Sequence, residues 1–160
     1  MEEARLTRQI KELEEAEEAA KQGILALQDL LDSLGSAANW GIWDMLGGGF
    51  FSTAIKHSKI NNAKREAAHA QRSLERLSQE LADVRLKYDL NIEIGGFATF
   101  ADYFFDGLIA DWVVQSRLNE ARRRVEALLS QVKSIRQSLA TELEKVAQRV
   151  IAIKEQKTFN

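Results

Sequence analysis

The segment LTRQIKELEEAEEAAKQGILALQDLLDSL, residues 6–34, places Leu6, Ile10, Leu13, Glu17, Ala20, Ile24, Leu27, Leu31 and Leu34 in alternating steps of four and three. All of these but Glu17 are apolar. A hydrophobic period of about 3.5 residues keeps one stripe of a helix turned toward a partner, so the segment reads as a coiled-coil seam. A second seam runs Ile60, Ala63, Ala67, Ala70, Leu74, Leu77, Leu81, Val84, Tyr88, and the alanines of its first half allow a neighbouring helix to come close. The third runs Leu118, Ala121, Val125, Leu128, Val132, Ile135, Leu139, then Leu143, Val146, Val150, Ile153. Its step from Ile135 through Leu139 to Leu143 is four and four, a stutter that locally unwinds a left-handed supercoil. Proline, the commonest interrupter of helices, does not occur in the 160 residues.

Charge is divided among the seams. Residues 2–34 hold nine acids and four bases, net −5; residues 50–88 hold four and eight, net +4; residues 115–157 hold five and ten, net +5. The first helix is therefore expected to lie against the other two, charge setting orientation more than stability, since exposed ion pairs contribute only about 0–1 kcal/mol each. The expected fold is all-α: a single elongated domain over residues 1–160, with three long antiparallel helices running up, down and up.

An offset of 58 residues lays WDMLGGGFFSTAIKHSKINNAKR (43–65) over ADYFFDGLIADWVVQSRLNEARR (101–123). Asp44 falls on Asp102, Gly49 on Gly107, Ser58 on Ser116, Asn61 on Asn119, Ala63 on Ala121 and Arg65 on Arg123. This reads as an internal repeat with units at about 8–66 and 66–124, the third helix continuing to 157. Each unit carries an apolar corner, and the two corners are expected at opposite ends of the middle helix. Thr99 and Asp102 have capping-box spacing, the carboxylate meeting free N–H groups and the positive end of the helix dipole. Through the repeat, Asp44 takes the matching place at the start of the middle helix. The run Gly47–Gly49 then falls just inside that helix, where each glycine costs up to about 1 kcal/mol relative to alanine. A phosphate-cradling loop of the Walker type would need Lys and Ser/Thr after the last glycine, and Phe50 and Phe51 stand there instead.

The strings NWGIWDMLGGGFFSTAIKHSKI and FADYFFDGLIADWVVQSRL resemble the two signatures of a family of uncharacterised bacterial helical coiled-coil proteins. The resemblance covers most of the chain and implies a helical fold; it brings no activity, cofactor or catalytic residue with it.

Composition narrows the chemistry. With no cysteine, thiolate catalysis and thiolate-bound metals are excluded. The two histidines, His57 and His69, stand twelve residues apart on one helix, without the Glu-x-x-His spacing of di-iron bundles. Asp102, Asp106 and Asp111 have no histidine, lysine or ligand pattern beside them, so they read as a cap and a solvated face. Residues 92–114, the most apolar stretch, include Glu93 and those three aspartates. Each acid would cost about 2.5–3.5 kcal/mol at bilayer depth, so the stretch is not read as a transmembrane span. Repeat-equivalent basic clusters, Lys56, Lys59, Lys64, Arg65 and Arg117, Arg122, Arg123, Arg124, raise nucleic acid as a partner. The net charge of −2 and the acidic first helix argue against it. The N-terminus lacks the pattern of a secretory signal, which suggests a cytoplasmic protein.

The corners are the candidate interaction surface: Trp40, Trp43, Phe50 and Phe51 in one, Phe104, Phe105, Leu108 and Trp112 in the other. A helical rod needs aromatic plugs, but these exceed that need, and large exposed apolar patches are rare on monomers. The expectation is a non-enzymatic scaffold or interaction module, a homodimer or a partner of another helical protein, with no catalytic residue, cofactor, metal or small-molecule substrate. The alternative is a peripheral membrane protein inserting its corner aromatics into the lipid interface.

Overall fold

The computed structural model describes residues 1–44, 52–88 and 115–158, with side chains at 1–35, 61–88 and 119–158. These residues form three helices, α1 (Glu2–Asp44), α2 (Ser52–Tyr88) and α3 (Gln115–Thr158), and only Met1 among them is not helical. Glu2 and Glu3 in the first turn of α1, Arg85 and Lys87 in the last turn of α2, and Lys157 at the end of α3 each complement the helix dipole. The expected all-α bundle of long helices is what forms.

The helix α1 packs along both α2 and α3, whereas among the described residues no Cα of α2 comes within 8 Å of one of α3. This placement explains a difference from the seam read in the sequence. A helix with partners on two sides must bury a wider stripe than one with a single partner. The fully covered ridge of α1 is Leu6, Gln9, Leu13, Ala16, Ala20, Gly23, Leu27, Leu30 and Leu34, itself an unbroken three–four alternation. It shares every seventh residue with the predicted seam and replaces the others, for Ile10, Glu17 and Leu31 are only half-buried. Ala19, Ile24 and Ala26 widen the stripe further. Small residues at Ala16, Ala19, Ala20 and Gly23 let both partners approach. A β-carbon placed on Gly23 would stand 3.2 Å from Leu74 Cδ2 of α2 and 3.8 Å from Val132 Cγ1 of α3.

Leu74 and Val132 are 58 residues apart, the offset of the repeat. Shifting the buried stripe of α2 (Ala63, Ala67, Ala70, Leu74, Leu77, Leu81, Val84) by 58 lands on Ala121, Val125, Leu128, Val132, Ile135, Leu139 and Glu142. Five of these are buried and two half-buried, so α2 and α3 present equivalent faces to opposite flanks of α1. Their direction corrects the expected up, down, up order. Lys87 of α2 reaches Glu12, while Arg136 and Lys157 of α3 reach Glu17 and Glu3. Both helices therefore run antiparallel to α1 and parallel to each other: up, down, down. Equivalent faces docked on one central helix demand equivalent directions, which a sequence pattern read one helix at a time does not reveal. Tyr88 and Gln115 consequently lie toward opposite ends of the bundle, roughly 45 Å apart along its axis at 1.5 Å per residue.

The same geometry gives a stability test. Gly23→Ala removes a helix-interior glycine and presses its methyl only on the mobile end of Leu74, so its urea midpoint is expected close to that of the parent. Gly23→Val should drive the two flanking helices apart and cost about 1–3 kcal/mol in urea denaturation. Equal stability of both variants would mean that α1 is not gripped from two sides at this layer.

Candidate functional site

The parallel course of α2 and α3 sets the starts of both helices toward one end of the bundle. In antiparallel register with Gly23 beside Leu74 and Val132, α2 starts at Ser52 where α1 closes at Asp44, and α3 starts at Gln115 a little more than one turn short of it, at the level of Trp40. Each apolar signature thus feeds a helix that begins at this end. Trp40 and Trp43 belong by their backbone to the final turns of α1. Phe50, Phe51, Phe104, Phe105, Leu108, Trp112, Thr99, Asp102 and the Gly47–Gly49 run lie outside the described residues. Asp44 is the last residue of α1, and α2 begins at Ser52 with no acid in its first turn. The capping role expected of Asp44 at the start of the middle helix is therefore corrected, because α1 continues through Gly41 and does not break there.

Electrostatic pairing also departs from expectation. The acids of α1 crowd its first half, and antiparallel packing sets them beside the C-terminal halves of α2 and α3. The inter-helix ion pairs are Lys157–Glu3 at 2.6 Å, Lys87–Glu12 at 3.1 Å and Arg136–Glu17 at 2.9 Å. Among the described side chains, none of Lys64, Arg65, Arg122, Arg123 and Arg124 meets a carboxylate of α1. Arg65 donates to Asn62 and Arg124 pairs with Glu120 on its own helix, while Nε of Arg122 is buried without a partner. Among the described side chains, the acids of α1 thus leave these five cations without a carboxylate from that helix.

At the opposite end, Glu12 is the most constrained carboxylate. Burial pushes its pKa up, but the Tyr88 hydroxyl and the Lys87 ammonium outweigh that and hold it below the ordinary 4.5. Tyr88 in turn is raised above 10.0, by burial first and by its hydrogen bond to Glu12 second. Glu3 is lowered by the hydrogen bond and charge of Lys157, and Glu18 by the Gln22 amide and then Lys21.

Beside this network a cavity of about 380 Å³ opens between the three helices. Its cations come from every helix: Arg5 from α1, Lys87 from α2, Lys145 and Arg149 from α3. Glu142 is its one acid, Gln9 and Tyr88 supply an amide and a hydroxyl, and Val146 an apolar wall. Gln9, the one buried polar residue among those described, escaped the sequence reading because the seam was traced through Ile10. The signal that would have found it is the alternative ridge, in which Gln9 is the sole polar position. A shallower groove between α1 and α3 is occupied by the Glu17–Arg136 pair. Among the described residues no three histidine, aspartate or glutamate side chains converge as metal ligands would, and no helix is long and apolar enough to cross a membrane.

No protein-family model, curated protein or solved structure matches the chain.

The lowered carboxylates set a direction for pH dependence. A group whose folded pKa is depressed contributes stability that is complete above its unfolded value, here 4.5, and is lost as pH falls through the depressed one. Tyr88, raised, contributes below 10.0 and loses that contribution as pH rises through its folded value. Urea midpoints are expected to hold level between these limits and to fall on the acid side, less steeply for Glu12→Gln. A parent curve already falling between about pH 7 and 5 would assign the acid sensitivity to other groups.

Proposed function

We propose that the protein is a non-enzymatic helical interaction module that works through the end of the bundle where α1 closes and α2 and α3 begin. What supports this reading is that α2 and α3, each preceded in the sequence by an aromatic-rich signature, both start near the end where α1 closes. Concentrated there, apolar side chains in excess of what plugs a rod make a surface that calls for cover. A second copy of the chain is the partner this reading favours. Aromatic residues clustered at the centre of such a contact would carry most of its energy.

A lipid surface is the second reading. Its support is the pair of repeat-equivalent basic clusters near the same end, whose described members find no carboxylate on α1. Cations flanking aromatics suit an anionic membrane interface, where each basic residue near the surface contributes about 1 kcal/mol. Against it stand Asp102, Asp106 and Asp111 in the second signature.

Salt separates the two. Self-association that buries aromatics between like-charged ends should strengthen with ionic strength, whereas binding to anionic vesicles should weaken. Light scattering across a concentration series is expected to give a species near twice 18.0 kDa, more populated at high salt and lost in Trp43→Ala and Trp112→Ala. A monomer at all concentrations that sediments with phosphatidylserine vesicles at low salt would replace the first reading with the second.

A further inference from the structure

We propose that the cavity between Gln9, Tyr88 and the C-terminal half of α3 is a binding site for a small phosphate-bearing anion. The core of the bundle is built in layers along the ridge of α1. At Gly23 the layer is completed by Leu74 and Val132. Fourteen residues, two heptads, toward the N-terminus of α1 the corresponding residues are Gln9, Tyr88 and Val146, and all three line the cavity. Every other ridge position of α1 is apolar or glycine, and Gln9 alone sets an amide into the core.

Gln9 is only 9% exposed, and it is one of the residues that line the cavity. It faces a space that the stutter of α3 leaves open. The repeat equivalent of the buried Val84 is Glu142, which turns its carboxylate to Lys145 at 2.6 Å instead of filling the layer.

The walls of that space determine what fits it. Four cations and one carboxylate line it, net +3. Lys87 is held by Glu12 and Lys145 by Glu142, while Arg5 and Arg149 have no carboxylate partner among the described residues. Guanidinium forks on two helices and an amide N–H₂ are its uncommitted donors, the two ammonium groups and the Tyr88 hydroxyl being turned to Glu142 and Glu12. Oxyanions with several oxygens satisfy such a set, and arginine forks match phosphate geometry in particular. The volume of about 380 Å³ lies within the range of small-ligand pockets, room for a diphosphate or a compact phosphate ester beside Val146. Because the donors come from three helices, an occupant would tie the ends of α2 and α3 to the start of α1.

The test uses the full chain and inorganic pyrophosphate, followed by calorimetric titration at low salt and by thermal melting. Tripolyphosphate and adenosine triphosphate serve as further phosphate probes, and citrate as a polycarboxylate of similar charge. Pyrophosphate is expected to bind and to raise the melting temperature, with citrate weaker. Arg149→Ala should weaken binding at least about tenfold, the scale of one charge-assisted contact. Gln9→Leu should also weaken binding while raising the urea midpoint, since it completes the apolar layer; the two opposite movements distinguish a ligand contact from damage to the fold. Arg123→Ala, near the other end, should leave affinity unchanged. The proposal is overturned if pyrophosphate neither binds nor stabilises the parent chain, if binding survives both Arg149→Ala and Gln9→Leu, or if Arg123→Ala weakens it equally.

Discussion

A central helix held between two others is the constraint on which the rest of this bundle depends. Since α2 and α3 keep their backbones apart, neither shields the other and the burden of burial falls on α1. Its small residues at Ala16, Ala19, Ala20 and Gly23 are the physical response. Dispersion and apolar burial grow as helices close in, and only short side chains permit that on two sides at once. The leucines at Leu6, Leu13, Leu27, Leu30 and Leu34 then close the ends of the ridge, each fully or almost fully covered.

Direction follows from the same arrangement. Because the faces of α2 and α3 correspond at an offset of 58, they can grip the flanks of α1 alike only by running the same way. That parallel course separates the two ends of the rod chemically. Carboxylates of the first half of α1 meet the cations of the departing helices at one end, in Glu3–Lys157, Glu12–Lys87 and Glu17–Arg136. Toward the other end lie cations of the entering helices, among them Lys64, Arg65, Arg122, Arg123 and Arg124. The proposed interaction end and the proposed anion site thus occupy opposite poles.

Polar interruptions in the ridge gain meaning from their layer. Glu17, the exception in the seam traced through Ile10, proves to be a flank residue whose half-buried carboxylate serves Arg136. Gln9 lies on the ridge itself, where it lines the cavity. The stutter of α3 supplies the other half of the cavity, for Glu142 and Leu143 share, each half-buried, the place one apolar side chain would take in an uninterrupted heptad. The helix runs on unbroken through this point, so the register change is absorbed in the side chains lining the cavity.

Sequence alone determined the helices and the inward stripes of α2 and α3, because heptad spacing, absent proline and segregated charge are local properties that each helix carries by itself. It also determined the offset at which two of those stripes correspond, and that the acidic helix would lie against the two basic ones. Tertiary structure decided which ridge of α1 is innermost, since Ile10 and Gln9 stand on adjacent ridges and only the number and placement of partners selects between them. It decided the direction of α3, since a heptad pattern reads the same from either end. From that direction came the common end toward which α2 and α3 start, and the cavity in which residues from three helices, distant along the chain, share one electrostatic field.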